Sequence, residues 1–290
     1  MRMRRLGESG LPVSVVGLGC NNFGRRIDRD ASHAVVRAAL EAGITLYDTA
    51  DTYGSPPGAS EQLLGEALKG ERDDVVVATK FGMDMDCTNA PDWGDRGSRR
   101  YIYRAVEASL RRLDTDWIDL YQLHEPDHAT PIEETLSALT DLVTAGKVRY
   151  IGCSNFAGWR LTDASWTTTT SGLAGFISVQ NEYSLLTREI EAEVVPTCER
   201  FGLGVLPWRA ELTQWQARIA FARAQQPDGA WPDVSDAALL ASLETWLAPW
   251  LAAPQAVKEG VPAIIGPRNV DHVYNRGFIA WARNKHEGVR

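Results

Sequence analysis

The sequence predicts an α/β fold in which eight parallel strands alternate with helices and close into a (β/α)8 barrel, the TIM barrel. Eight short runs rich in Val, Ile and Leu recur along the 290 residues, and longer amphipathic stretches separate them. The runs are continuously apolar, which is typical of parallel strands covered by helices. No GxGxxG follows the first run, so the usual sign of a dinucleotide-binding open sheet is absent.

The predicted strands are short, and amphipathic helices occupy the gaps between them. The strands lie at 15–19, 44–48, 75–80, 117–124, 148–154, 176–180, 203–208 and 262–266. Helices are predicted at 31–42, 60–69, 98–113, about 131–145 and 188–201. The helix at 98–113 has the clearest pattern, because Ile102, Val106 and Leu113 fall on one helical face. Regular alternation of strands and helices favours a closed barrel over an open sheet.

Two local signals concern particular elements. Residues 130–133, Thr-Pro-Ile-Glu, combine an N-cap residue with Pro at N1 and Glu at N3, so they predict a capping box. The segment 209–253 is rich in Ala, Trp, Gln and Pro and lacks the pattern of the earlier units. We therefore expect a single domain over 1–290 with an atypical seventh β/α unit.

The composition is that of an ordinary soluble globular protein. A net charge of −8 argues against a nucleic-acid or anionic-membrane partner, because phosphate binding needs clustered cations. No apolar run approaches the ~20 residues of a spanning helix, and no apolar region follows the basic N-terminus as in a signal peptide. Cys20, Cys87, Cys153 and Cys198 form no CxxC pair, which favours free thiols in a reducing cytosol. We expect a cytoplasmic protein, and its oligomeric state stays open.

Four chemically different side chains are predicted to meet at one end of the barrel. Asp48, Lys80 and His124 each end a predicted strand, and Tyr53 lies in the loop after Asp48. Neighbouring strands place their ends roughly 5 Å apart, and barrel enzymes carry their functional groups at the carboxyl ends of strands. Each residue alone has an ordinary structural explanation. Together they suit the delivery of a proton to an oxygen that gains negative charge.

The chemistry of this set depends on the lysine. A free tyrosine has a pKa near 10, and an ammonium about 4 Å away contributes up to ~4 kcal/mol, so Lys80 is expected to lower the pKa of Tyr53. Asp48 would keep Lys80 charged, and His124 would orient a carbonyl oxygen. Because proton donation alone does not reduce a carbonyl, a reductase also needs a hydride source at the same mouth. A strand-end lysine equally suits a Schiff base, so an aldolase or lyase remains an alternative.

Two other uses of the carboxylates are disfavoured. No His or Cys lies at metal-ligand spacing from Asp48 or Asp51, so no metal site is expected. The two carboxylates share one strand-to-loop turn, and they do not face each other across a cleft as a glycosidase pair would. Asp51 is therefore expected to be a loop or capping residue.

Several ordered motifs resemble the aldo-keto reductases. They are YDTADTYG, ATKFG, DLYQLHEPD, GKVRYIGCSNF, SVQNEYSLL and GLGVLPW. The N-terminal RRLGESGLPVSVVGLGCNNFG is similar to that family's opening hairpin and first strand. The resemblance covers about 1–208 and returns at 261–270. It implies a barrel with an N-terminal β-hairpin that reversibly reduces aldehydes or ketones with NADPH.

The resemblance also implies roles for individual residues. Tyr53 would donate the proton, Asp48 and Lys80 would adjust the pKa of Tyr53, and His124 would orient the substrate carbonyl. The residues implied to hold NADP(H) are Ser154, Asn155, Gln180, Trp208, Gly266, Arg268 and Asn275. The first three match positions that hold the nicotinamide carboxamide, and the fourth matches the aromatic that stacks on the ring. Gly266 and Arg268 lie in the region that grips the 2′-phosphate, while Asn275 falls about one residue early for its adenine contact.

Three aromatic residues are candidate walls of the substrate pocket: Phe23, Trp93 and Phe156. Ordinary packing in the core or at the surface is the alternative explanation for each of them. The substrate itself is expected to be a small carbonyl compound or sugar. Its identity is not predicted, because the resemblance is weakest in the loops and C-terminal tail that select it.

The chain departs from the family pattern after Trp208. The family continues with Ser-Pro-Leu and a glycine-rich loop, whereas this chain continues with Arg-Ala-Glu-Leu, and Glu211 would repel a pyrophosphate. The stretch 213–251 resembles a C-terminal piece of bacterial DEAH-type RNA helicases, although the ATPase motif GxxxxGK[ST] is absent. A chimeric chain would explain this split, and NADPH binding weaker than the family norm is expected from it.

The leading hypothesis from the sequence is an NADPH-dependent carbonyl reductase. The alternatives are an aldolase or lyase that uses Lys80 as a Schiff base, a non-catalytic cofactor-binding or scaffold barrel, and a chimera that folds but binds nothing.

Overall fold

The computed structural model describes residues 1–89, 91, 93–184 and 187–208. Within them the strands form an antiparallel hairpin and a seven-stranded sheet. The hairpin pairs β1 (Met3–Arg5) with β2 (Pro12–Ser14). The sheet strands are β3 (Gly17–Gly19), β4 (Leu46–Asp48), β5 (Val76–Phe81), β6 (Ile118–Leu123), β7 (Val148–Ser154), β8 (Phe176–Glu182) and β9 (Gly204–Trp208). They lie side by side in chain order, and β3 to β8 pair in parallel.

The sheet curls strongly. Gln180 on β8 donates a hydrogen bond to Asp48 on β4 over 3.0 Å, although four strand spacings separate these strands in the sheet order. In a flat sheet that separation would be about 19 Å. The described residues therefore form a barrel-like α/β fold with seven of the eight predicted strands. The eighth, predicted at 262–266, lies outside the described residues.

A helix follows each of the first six sheet strands, as the predicted alternation requires. The helices are α1 (Arg29–Glu41), α2 (Ala59–Ala67), α3 (Arg99–Leu113), α4 (Ile132–Thr144), α5 (Gly158–Ser171) and α6 (Val194–Phe201). The predicted apolar face of α3 is buried along its length. The helix predicted at 188–201 is shorter, because a 3-10 turn at Glu189–Glu191 precedes α6.

Helix α5 is missing from the sequence prediction, since its second half carries four successive threonines. β-branched residues have lower helix propensity than unbranched ones. Here, however, the hydroxyls of Thr169 and Thr170 donate back to carbonyls one turn earlier, at 2.9 Å each. Leu161 and Ala164 are buried on the opposite face. Packing of that face therefore overrides the local preference.

The predicted capping box at 130–133 is wrong. Helix α4 begins at Ile132 with Pro131 as its N-cap, and no side chain caps it. The Thr130 hydroxyl instead donates to Asp127 over 2.7 Å. The same carboxylate accepts backbone N–H groups from Gly97 and Ala129, at 2.6 and 2.8 Å. The Thr130 side chain is therefore directed at a charged acceptor in the preceding loop and does not cap the helix.

Alternation along the strands separates an apolar layer from a polar layer inside the sheet. Residues two apart in a strand share a face, so the apolar residues Leu46, Ala78 and Leu120 are each followed by a polar one near the strand end. The apolar layer packs against the hairpin residues Leu6 and Val13 in one buried cluster. Hydrophobic burial therefore closes one end of the barrel-like sheet and leaves polar groups at the other.

The close fit of the hairpin depends on one glycine. Gly7 has a φ of +61°, and a Cβ atom there would lie 2.5 Å from the carbonyl oxygen of Gly202. The Glu8 N–H donates to that same carbonyl over 2.8 Å. A side chain at position 7 would separate the hairpin from the start of β9.

The chain divides into two compact units, and the described residues of the second are 182–184, 187–191 and 207–208. In this second unit Tyr183 donates to Glu191 over 2.7 Å, and Arg188 binds the same carboxylate through two nitrogens at 2.8 and 2.7 Å. The first unit carries the side chains discussed below. The single-domain prediction over 1–290 extends beyond the described residues and stays a prediction.

Candidate active site

A fully buried ion pair forms the centre of the candidate site. Lys80 on β5 is 0% exposed, and its Nζ donates to Asp48 Oδ2 over 2.7 Å and to the Thr49 carbonyl over 2.8 Å. Burial by itself would lower the pKa of Lys80, but the charge of Asp48 and the hydrogen bonds of Asp48 and Tyr53 outweigh it, so the pKa is raised. Lys80 is therefore a fixed ammonium.

Tyr53 lies against this ammonium. Its ring centroid is 5.0 Å from Lys80 Nζ, so the charge of the ammonium acts directly on the phenol. Burial raises the pKa of Tyr53, and the opposing effect of the Lys80 charge does not cancel it. The expectation of a lowered pKa is thus wrong for this structure, because desolvation of the phenolate exceeds the attraction of one ammonium. Tyr53 is a protonated phenol at neutral pH.

His124 follows β6 and completes the group. Its ring meets the Tyr53 ring edge to face, with centroids 5.7 Å apart. Burial, together with the charge of Lys80, lowers the pKa of His124 to about 3. The imidazole is therefore neutral and carries one N–H donor. The structure thus brings the four predicted residues Asp48, Tyr53, Lys80 and His124 together at the carboxyl ends of the strands.

Two glutamines bind the remaining oxygen of Asp48. Gln180 and Gln122 donate through Nε2 to Asp48 Oδ1, at 3.0 and 3.3 Å. Gln122 is fully buried on β6 and was missed by the sequence reasoning. The signal that could have found it is its position two residues before His124, since residues two apart in a strand face the same side.

Ser154 and Asn155 lie at the end of β7 and bond to neighbouring strands. The Ser154 hydroxyl donates to the Gln180 carbonyl over 2.7 Å, and Asn155 donates to the His124 carbonyl over 3.0 Å. Asn155 adopts a left-handed backbone conformation with a φ of +59°. Amide and hydroxyl groups from β7 and β8 therefore line the rim beside the ion pair.

Comparison with known proteins accounts for this arrangement. Residues 15–214 match the model of the Aldo/keto reductase family. The chain belongs to the aldo/keto reductase family. The matched region ends inside the segment 209–253, where the sequence departs from the family pattern. The proposed helicase resemblance and chimeric origin stay predictions.

Individual reductases are similar to this chain over most of its length. An uncharacterized oxidoreductase, YrpG, of Bacillus subtilis is 41% identical over 214 residues, which cover 72% of this chain and 66% of the relative. Versiconal hemiacetal acetate reductase of Aspergillus parasiticus is 39% identical over 232 residues, with the same two coverages. A probable aldo-keto reductase 1 of Glycine max is 39% identical over 209 residues, covering 70% and 58%. The chain thus spans less than two thirds, between 58% and 66%, of the length of these relatives.

The predicted substrate-pocket residues and the remaining predicted cofactor residues are not grouped in one place in the described part of the chain. Phe23 and Phe156 are each 2% exposed, and Phe156 lines a cavity of about 190 Å³. Trp93 is 73% exposed, with the Arg100 guanidinium 3.7 Å from its ring centroid. Trp208 ends β9 in the second unit. The predicted cofactor residues Gly266, Arg268 and Asn275 lie outside the described residues.

Asp51 lies in the turn after β4, as predicted for a loop residue, but its burial was not predicted. It is fully buried and accepts a hydrogen bond from Asn89 Nδ2 over 2.7 Å. Burial, and then the charge of Glu61, raises the pKa of Asp51 to about 8, although Asn89 and Arg112 oppose this. Sequence reasoning missed this buried carboxyl, because nothing local distinguishes it from a solvated one.

Among the described residues, no three His, Cys, Asp or Glu side chains are grouped so that they could hold a metal ion. Within the same residues, every helix is too short or too polar to cross a membrane.

Proposed function

We propose that this aldo/keto reductase reduces an aldehyde or ketone to an alcohol with NADPH, and that Tyr53 donates the proton. The observation that carries the proposal is the contact of a protonated phenol with a buried, charged lysine beside a neutral histidine. This combination suits a reaction in which a carbonyl oxygen gains negative charge. The family membership supports carbonyl reduction in general.

Each of the four residues has a different role towards the carbonyl oxygen. The neutral His124 donates a hydrogen bond that orients the oxygen, and the Tyr53 hydroxyl donates a second one. As charge develops on the oxygen, the Tyr53 proton moves to it. The Lys80 ammonium stabilises the phenolate that remains, because a charge in a buried site acts with little screening. Asp48 keeps that ammonium charged and in place.

The cofactor would supply the hydride when bound. Ser154, Asn155 and Gln180 are the residues that we propose hold its carboxamide, since they present hydroxyl and amide groups beside the ion pair. Because Asp48 binds the Gln180 NH2 group, the amide oxygen of Gln180 is left as an acceptor for the carboxamide. Trp208, Gly266, Arg268 and Asn275 complete the proposed NADP(H) site. A small carbonyl or sugar substrate and a cytoplasmic location are part of the same proposal.

The alternative of a Schiff-base aldolase is disfavoured by the surroundings of Lys80. A nucleophilic lysine must be neutral and accessible. Lys80 has no exposed surface, its pKa is raised, and two of its three protons are donated to Asp48 and the Thr49 carbonyl. Borohydride trapping with a keto substrate should therefore give no covalent adduct.

The decisive test is the Tyr53→Phe variant. Turnover of an aldehyde panel, followed at the NADPH absorbance band, should fall by about 10²- to 10⁴-fold, because the proton donor is lost. NADPH affinity, measured by fluorescence titration, should stay within about twofold, since the ring remains. Tyr47→Phe is the matched control, because the Tyr47 hydroxyl bonds the Ile44 carbonyl on the same strand segment. Retained turnover in Tyr53→Phe would refute the role. A wild-type protein that binds NADPH without reducing any carbonyl would instead support the scaffold alternative.

A further inference from the structure

The carboxylate of Asp48 is held from three other strands. Its Oδ2 accepts from Lys80 on β5, and its Oδ1 accepts from Gln122 on β6 and Gln180 on β8. Three donors on one partly exposed carboxylate leave it little rotational freedom. Gln180 already belongs to the proposed cofactor site. Gln122, however, has no part in the chemistry described so far.

Chemistry determines which end of the Gln122 amide faces Asp48. An ionised carboxylate only accepts hydrogen bonds, so the NH2 group must point towards it. The amide oxygen then points elsewhere, and it is buried without a hydrogen-bond partner among the described residues. A buried, unpaired amide oxygen costs stability. Gln122 is thus a poor choice for packing alone, since an apolar side chain of similar shape would avoid that cost.

The neighbours of Gln122 fix its position. Lys80 is its direct partner in the register of β5 and β6, and Gly152 is its partner on β7. A Cβ atom at Gly152 would lie 3.3 Å from Gln122 Cγ, so the glycine leaves room for the glutamine stem. Gln122 therefore lies beside the lysine, with its amide directed at the carboxylate that the lysine binds.

We propose that Gln122 is a positioning residue that holds Asp48 Oδ1, so that Oδ2 stays on Lys80 and the ammonium stays directed at Tyr53. This inference rests on the proposed function, because its effect on turnover assumes that Tyr53 donates the proton. Without the Gln122 amide, Asp48 rotates towards solvent and the ammonium is no longer held against Tyr53. The charge of Asp48 raises the pKa of Tyr53, but the charge of Lys80 lowers it by more, so displacement of the ammonium makes Tyr53 a weaker proton donor.

The test is the Gln122→Met variant, which keeps the length of the side chain and removes the amide. We expect kcat for aldehyde reduction to fall about tenfold, the equivalent of one pKa unit in Tyr53. The basic limb of the kcat profile should move to higher pH by a similar amount. KM and NADPH affinity should stay within about twofold. The thermal midpoint should change little, since the loss of the hydrogen bond to Asp48 offsets the removal of an unpaired buried oxygen.

Ser178→Ala is the matched control. Ser178 is also fully buried with an unpartnered oxygen among the described residues, but it does not bond Asp48. This variant should have an unchanged or higher thermal midpoint and leave kcat and the pH profile unchanged. A kcat within twofold of wild type in Gln122→Met would overturn the positioning role. A loss of kcat without movement of the basic limb would overturn it as well.

A measurement without turnover separates this inference from the proposed function. The pKa of Tyr53 can be followed by NMR of ¹³Cζ-labelled tyrosine, with its resonance identified by its loss in Tyr53→Phe. If no carbonyl is reduced but the pKa of Tyr53 rises in Gln122→Met, the proposed function fails and the positioning role stands. If carbonyls are reduced and the pKa does not move, the reverse holds.

Discussion

Asp48 and Asp51 lie three residues apart at the end of β4, yet their surroundings are opposite. Asp48 is 21% exposed and receives a buried ammonium and two amide donors. Asp51 is fully buried, and the side chain that donates to it is the neutral amide of Asn89. One oxygen of Asp51 has no hydrogen-bond partner among the described residues. Proximity in sequence therefore does not make the two carboxylates equivalent.

The difference arises because the nearby cations are already engaged. Lys80 is directed at Asp48. Arg112, which lies on α3, donates over 2.6 Å to the buried Glu61, and Glu61 also accepts from Thr79 over 2.6 Å. Among the described residues, Asp51 is thus left with a carboxylate neighbour in Glu61 and without an ion pair, although the charge of Arg112 acts on it from a distance. A buried carboxyl group in such a place takes up a proton, whereas Asp48 remains the counter-ion of a lysine.

The largest expected effect that separates the two residues is on activity. Asp48→Asn should lower kcat by about 100-fold or more, because Lys80 loses its counter-ion. Without that counter-ion, Lys80 is no longer held as the ammonium that stabilises the Tyr53 phenolate in the proposed reaction. Asp51→Asn should change kcat by less than about threefold, because its carboxyl is already neutral at pH 7. Steady-state kinetics of the two variants at equal cofactor saturation measures this difference. Equal losses would show that the two carboxylates act as one unit.

A smaller effect is expected on stability as the pH changes. The pKa of Asp51 is raised to about 8 from an ordinary value of 3.8, so the native state binds its proton more tightly than the unfolded chain. This contribution to stability is complete below about pH 4 and is lost as the pH rises to about 8. Relative to Asp51→Asn, the wild type should lose about 2–4 kcal/mol of unfolding free energy between pH 5 and 9. Urea unfolding at both pH values measures the difference, and a gap independent of pH would contradict the raised pKa.

The smallest effect is expected when the side chain that donates to Asp51 is removed, and it concerns the unfolding free energy. Asn89→Ala removes its hydrogen bond and should lower the unfolding free energy by about 1–2 kcal/mol. The loss should be larger at pH 9 than at pH 5, because the ionised carboxylate depends more on a donor. In the Asp51→Asn background this pH dependence should disappear. If it persists there, Asn89 acts through another group.

The grouping of the candidate active-site residues could be predicted from strand ends alone. Asp48, Lys80 and His124 were placed together because each ends or follows an apolar run, and the bounds predicted for the fifth strand match those of β7. Strand ends are local features, since apolar runs and the residues that stop them are visible within a few positions.

Other features could not be predicted, because they depend on partners far away in the chain. The motif at 130–133 favours a capping box, but the Thr130 hydroxyl bonds Asp127, whose carboxylate is also bound by the N–H of Gly97, 30 residues away. Helix α5 forms despite its threonines, because its opposite face is buried. In both cases a tertiary contact competes with a local preference of about 1 kcal/mol, and the contact wins.

The sequence by itself determined the order of the described strands, the family, and which polar side chains lie at the strand ends. Only the tertiary structure decided what each carboxylate does. The donors to Asp48 come from positions 32, 74 and 132 residues away along the chain. Curling of the sheet brings these donors together around Asp48. Asp51 is buried without an ion pair among the described residues, and its pKa is therefore raised. Asp48 received that cation, and Asp51, three residues later, did not.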